Sequence, residues 1–67
     1  MATERDLDKI CDAAPESIRQ DVWQMAWGNG FAAEVYYEYD TDAERWVVAI
    51  ETAKMILDAP ADYGLTA

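Results

Sequence analysis

The sequence predicts an all-α fold, a compact bundle of three to four short helices in a single domain spanning residues 1–67. Apolar residues recur at helical spacing along most of the chain, and helix-capping residues precede two of these stretches. The length leaves no room for a second core, and an apolar content of 52% is sufficient for a globular domain. An α+β fold, with a hairpin at about residues 31–50 packed on helices, is the alternative.

The first two helices are predicted from their boundary residues. Thr3 is a suitable N-cap, Asp6 is placed to complete a capping box, and the apolar spacing that follows predicts a helix over residues 4–14. A proline at the first position favours a second helix over residues 15–27. Residues 28–30, Gly-Asn-Gly, should end it, because glycine and asparagine tolerate the left-handed conformation found at helix C-termini.

The segment 31–40 fits either a strand or a helix. Its apolar and polar residues alternate as in a strand, and they also place an apolar stripe on one face of a helix. A strand would need residues 45–50 as its partner. However, a capping box beginning at Thr41 and the apolar spacing after it predict a helix over residues 42–58. The all-helical interpretation is therefore preferred.

The chain is strongly acidic. Fourteen acidic residues stand against five basic ones, and histidine is absent, which gives a net charge of −9. Direct binding to nucleic acid or to anionic lipid is disfavoured, because both need basic side chains to replace counterions. The balance favours a basic protein as partner. No apolar stretch suggests a signal peptide or approaches the length of a membrane span, so a cytoplasmic location without membrane contact is expected.

The sequence gives no reason to expect catalysis, a cofactor or a metal site. Cys11, the only cysteine, lies on the predicted inner face of the first helix, and Ser17, the only serine, has no base spaced to activate it. Acids at alternate positions from Asp40 to Glu44 have the spacing of a calcium loop. Arg45 stands where that loop requires glycine, so an acidic helix N-terminus is the better interpretation.

The acidic residues of the second half are the candidate partner-binding site. Five acids and no basic residue occur from Glu34 to Glu44, and tyrosines lie among them. Acidic and tyrosine side chains together suit a surface lined by arginine or lysine, although a merely solvated face would look the same. The candidate partner-binding residues are Glu34, Tyr37, Glu38, Asp40, Asp42, Glu44 and Glu51.

In its length, its net charge and its Glu34–Glu44 cluster, continued by Glu51 and Asp58, the chain resembles small acidic phage-encoded anti-defence proteins. This class includes anti-CRISPR inhibitors and other DNA mimics. The resemblance covers the whole chain as composition and involves no sequence motif. It implies an inhibitor that presents carboxylates where a nucleic-acid-binding effector expects phosphates.

Two other functions are compatible with the sequence. The chain could be an antitoxin or regulatory subunit that binds a basic protein through a hydrophobic helix face, in which case exposed Val47, Val48 or Met55 would matter more than the acids. It could also be a structural module that forms a homodimer through tryptophan and tyrosine. The oligomeric state, monomer or homodimer, is therefore left open.

Overall fold

A computed structural model of the chain describes residues 1–32, 35, 38 and 41–66. Within these ranges the backbone forms three α-helices and one short 3-10 helix: α1 (Glu4–Asp12), α2 (Glu16–Gly30), α3 (Asp42–Asp58) and the 3-10 helix Pro60–Tyr63. No strand occurs in the same ranges, and the prediction of a small all-α bundle is confirmed. The hairpin alternative is wrong, because the residues proposed as its second arm lie inside α3.

The N-termini of α1 and α3 are capped as the sequence predicts. The backbone N–H of Thr3 donates to the Asp6 carboxylate over 2.9 Å. At the start of α3, the backbone N–H of Glu44 donates to Thr41 Oγ1 over 3.2 Å. The first turn of a helix has backbone donors without helical partners, and such bonds satisfy them. Local residue choice therefore sets where both helices begin.

The core lies between the three helices, with small side chains along part of the contact of α2 with α3. Ala26 of α2 and Ala49 and Ala53 of α3 are fully buried there. Small side chains allow two helix backbones to approach closely. The remaining members of the buried apolar cluster are Leu7, Cys11, Ile18, Val22 and Ile56.

The C-terminus of α2 differs from the prediction. We expected residues 28–30 to end the helix, but α2 continues through Gly30. Gly64 is the only described residue with a positive φ, so neither Gly28 nor Gly30 adopts the left-handed conformation that the prediction assumed. Gly30 is buried against α3 instead. Because glycine has no side chain, Gly30 allows α2 and α3 to pack closely, and it does not end the helix.

Residues 31–40 are described only in part. Val35 and Glu38 both have helical backbone, which agrees with the preferred interpretation of this segment. The candidate site residues Glu34, Tyr37 and Asp40 lie outside the described residues.

The end of the chain folds back onto the bundle. Gly64, with φ of 77°, ends the 3-10 helix, and the Leu65 N–H donates to the Pro60 carbonyl over 3.1 Å. The Leu65 side chain packs against the buried cluster. Leu65 therefore holds the end of the chain against the helices. In the part of the chain that the structure describes, no helix has the length and apolar content that crossing a bilayer requires.

Candidate partner-binding surface

The candidate acids that the structure describes are all exposed. Glu38 is exposed in its partly described segment, and Asp42, Glu44 and Glu51 are exposed on α3. Glu44, Glu51 and Asp58 follow one another at intervals of seven residues, so they share one side of the helix at a rise of about 10 Å per step. We call these three residues the acidic face of α3.

Two of the candidate carboxylates already have cationic neighbours. Asp42 Oδ1 accepts a 2.8 Å hydrogen bond from Nη2 of Arg45, whose side chain is buried. Glu51 Oε1 lies 3.7 Å from Nζ of Lys54, and both of these side chains are exposed. A solvent-exposed pair of this kind contributes little and exchanges readily. Asp42 is therefore the less available carboxylate, whereas Glu51 remains free to meet a partner.

Three of the five basic residues lie outside α3. Arg19 uses its guanidinium within the fold, donating from Nε to the Cys11 carbonyl over 3.0 Å and from Nη2 to the Ala14 carbonyl over 2.9 Å. Arg5 and Lys9 are exposed on α1. Lys54 is consequently the one exposed cation of α3, and the acidic face keeps a negative excess.

Four aromatic rings form a continuous row that runs along α2 to the second turn of α3. The rings of Trp23 and Trp27 stack with centroids 6.3 Å apart, and those of Trp27 and Phe31 stack at 5.8 Å. The row ends at Trp46, whose ring centroid lies 4.6 Å from that of Phe31 in a T-shaped contact. Trp27 is 45% exposed despite these contacts.

Trp27 is an exposed aromatic that the sequence analysis did not propose as a binding residue. The aromatic residue predicted from the sequence to bind the partner is Tyr37, which lies outside the described residues. The regular spacing of Trp23, Trp27 and Phe31 was the available signal, since residues four apart on a helix lie side by side. A ring held on both sides by stacked neighbours and still open to solvent is well suited to interface contacts.

A groove of about 510 Å³ lies between α1 and α2. Trp23 contributes to its wall and donates from Nε1 to Asp8 Oδ1 over 2.7 Å. Cys11 also lines the groove but is almost fully buried. Burial raises the pKa of its thiol, and the nearby charges of Asp8 and Asp12 raise it further, against a smaller lowering effect from Arg19. A thiol held in its neutral form is a poor nucleophile, so this groove offers no activated cysteine.

The raised pKa of Cys11 predicts a loss of stability at alkaline pH. Below about pH 8.5 the thiol is protonated in the folded and unfolded chains alike, and it adds no pH dependence. As the pH rises further, the unfolded chain loses its thiol proton first, which lowers its free energy relative to that of the folded chain. We expect the free energy of unfolding to fall through this range until the folded thiol also ionises.

Denaturant unfolding at several pH values between neutrality and the alkaline range would measure this effect. The control is Cys11→Ala, which lacks the thiol and leaves every other residue unchanged. The wild-type curve should fall more steeply than that of Cys11→Ala. Parallel curves would show that Cys11 ionises equally easily in both states.

A second groove, of about 310 Å³, lies where α2, α3 and the 3-10 helix meet. Its exposed apolar residues are Met25 at 38%, Met55 at 61% and Tyr63 at 37% exposure. We call this the methionine groove; it is lined by Met25, Asn29, Thr52, Met55, Ile56 and Tyr63.

Two of the side chains considered for a hydrophobic binding face are exposed on α3. Val47 and Met55 are largely open to solvent, whereas Val48 is half-buried. Met55 lies in the methionine groove, and Val47 lies outside it.

The acids of the described residues form no group of three or more ligands that could hold a metal ion. Asp42 and Glu44, two members of the calcium-like spacing, lie in the first turn of α3, as the helix interpretation required. No known protein family matches the sequence, and no curated protein or solved structure is similar to this chain.

Proposed function

We propose that the chain is a protein-binding inhibitor whose acidic surface occupies a basic, nucleic-acid-binding site of a partner protein, as anti-CRISPR inhibitors and other DNA mimics do. The observation that carries this proposal is the acidic face of α3. Glu44, Glu51 and Asp58 are exposed on one side of a helix, with Lys54 as the only exposed cation of that helix.

The physical basis is charge complementarity on a rigid support. A groove that binds nucleic acid is lined with lysine and arginine, and it attracts any surface that carries closely spaced negative charge. Carboxylates fixed on a helix need little ordering when they bind, and a net charge of −9 speeds the encounter with a basic partner. Binding should therefore be fast and should weaken as salt is added.

The proposed surface extends beyond the acidic face of α3. Glu38 is exposed just before this helix, and Glu34, Tyr37 and Asp40 of the same segment remain proposed contributors. Trp27 is a further proposed anchor, because a partly exposed indole can stack on an arginine of the partner.

Charge reversal at the acidic face tests the proposal. The wild-type protein and the double variant Glu51→Lys/Asp58→Lys would each be used to capture proteins from a nuclease-treated bacterial lysate. We expect the wild type to retain a basic protein that added DNA or RNA releases. The affinity of the double variant for that protein should be lower by roughly tenfold or more, with a smaller dependence on salt.

The matched control is Glu4→Lys/Asp12→Lys, which changes the net charge by the same amount at exposed positions of α1. This variant should keep most of the affinity if the position of the charges matters. If both double variants lowered the affinity equally, the effect would come from net charge rather than from the position of the acids. The inhibitor proposal would be contradicted if the wild type retained no protein that added DNA or RNA could release.

A further inference from the structure

We propose that the methionine groove binds an amphipathic helix of the partner, with large apolar side chains on one face and lysine or arginine at its borders. This inference rests on the proposed function in taking the partner to be basic. It adds the chemistry of the segment that is recognised and the place where it docks.

The groove offers an apolar surface that can adapt to its occupant. Met25 of α2 and Met55 of α3 both line the groove, together with the buried Ile56 and with Tyr63. Methionine is unbranched and polarisable, so pairs of methionines adjust to apolar side chains of different shapes. Grooves of this kind bind apolar side chains that recur at intervals of three and four residues along a helix.

The polar side chains of the groove are already hydrogen-bonded to each other. Asn29 donates from Nδ2 to Thr52 Oγ1 over 2.7 Å, and the Thr52 hydroxyl donates to the Val48 carbonyl over 2.7 Å. The first of these bonds ties α2 to α3, and the second lies within α3. An occupant would therefore gain affinity mainly from apolar contact.

The rim of the groove carries an excess of negative charge. On α3, Glu51 lies four residues before Met55 and Asp58 lies three residues after it, so both neighbour it on the helix surface. On α2, Asp21 lies four residues before Met25 and likewise neighbours it on the helix surface. Another exposed acid, Asp62, precedes Tyr63 in the 3-10 helix.

This rim decides which occupant the groove favours. Against four acids, Lys54 is the one basic residue that neighbours Met55 in the helix. A second copy of this chain would bring another net charge of −9 to an already negative rim, and repulsion would oppose the dimer. A basic amphipathic helix instead places its apolar face on the methionines and its lysine or arginine side chains on the acids.

Methionine methyl groups give a direct readout of docking. The chain has three methionines, Met25 and Met55 in the groove and Met1 at the exposed N-terminus, so their ¹³C-labelled methyl signals separate the groove from the rest of the surface. The probe is a peptide of four helical turns built from leucine and lysine, with leucines on one face. Two comparison peptides replace every leucine with serine, or every lysine with glutamate.

We expect the leucine–lysine peptide to shift the Met25 and Met55 methyl signals and to leave Met1 unchanged. The serine–lysine peptide should bind at least about tenfold more weakly, because it lacks the apolar contact, and the leucine–glutamate peptide should not bind. Met55→Glu should lower the affinity for the leucine–lysine peptide by about tenfold or more. The control Val47→Glu adds the same charge to the same helix outside the groove and should leave the affinity nearly unchanged.

Several results would overturn the inference. These are equal binding of the serine–lysine and leucine–lysine peptides, binding without shifts at Met25 and Met55, or equal effects of Met55→Glu and Val47→Glu. A stronger response to the leucine–glutamate peptide, or concentration-dependent dimerisation that moves the two methyl signals, would assign the groove to another occupant. These outcomes are separable from the lysate experiment, because the peptides test the groove without requiring that a nucleic-acid-binding protein be found.

Discussion

Replacing Gly30 with alanine is expected to destabilise the fold by about 2–3 kcal/mol, because the added methyl group has no space. A Cβ at this position would lie 2.7 Å from the Arg45 carbonyl oxygen, 2.8 Å from Ala49 Cβ and 2.9 Å from the Ala49 nitrogen. Two of these three atoms belong to the backbone of α3, which cannot rotate away. The helices would have to separate at this contact.

Gly28→Ala is the matched control, since it makes the same substitution two residues earlier in the same helix. A Cβ at Gly28 would meet no atom within 4 Å. Alanine favours the helix over glycine by up to about 1 kcal/mol, so this variant should be as stable as the wild type or more stable. Thermal and denaturant unfolding of both variants would measure the difference. Similar stability of Gly30→Ala and Gly28→Ala would show that α2 and α3 can move apart at little cost.

The two glycines also show how far the sequence predicts the fold. The starts of α1 and α3 are set by residues within one turn of Thr3 and Thr41, and the sequence predicted both. The close packing of Gly30 involves Ala49, which lies nineteen residues later in the sequence. A Gly-Asn-Gly stretch favours a helix stop locally, and its use in helix packing becomes visible only when the facing helix is known.

Some features of the candidate site also follow from the sequence, whereas others depend on how the helices pack. Exposure of Glu44 and Glu51 followed from their charge and helical spacing, whereas the hydrogen bond that engages Asp42 depends on how Arg45 is buried. The methionine groove combines residues from α2, α3 and the 3-10 helix, and no single stretch of sequence contains it. Sequence periodicity predicts which face of a helix is apolar, but not which apolar residues are left uncovered after packing.

Replacing Arg19 with methionine is expected to lower the free energy of unfolding by about 2–3 kcal/mol. The guanidinium donates to the carbonyls of Cys11 and Ala14, which close the C-terminal end of α1 and begin the turn into α2. Carbonyls at a helix C-terminus lack helical partners and carry the negative end of the helix dipole, so a cation satisfies both needs. Methionine preserves the length of the stem, and the loss therefore reports on the hydrogen bonds rather than on packing.

The Cys11 thiol provides a second readout that a general loss of packing would not give. Arg19 lowers the pKa of Cys11 against the larger opposing effects, so Arg19→Met should raise that pKa further in the folded state, as measured by thiolate absorbance during an alkaline titration. Arg19→Lys should restore the charge but not the two-pronged geometry, so it should recover more of the pKa than of the stability. Arg5→Met, at an exposed position of α1, should change neither quantity. If Arg19→Met proved as harmless as Arg5→Met, the junction of α1 and α2 would have to be held by the apolar contacts of Leu7, Cys11 and Ile18 alone.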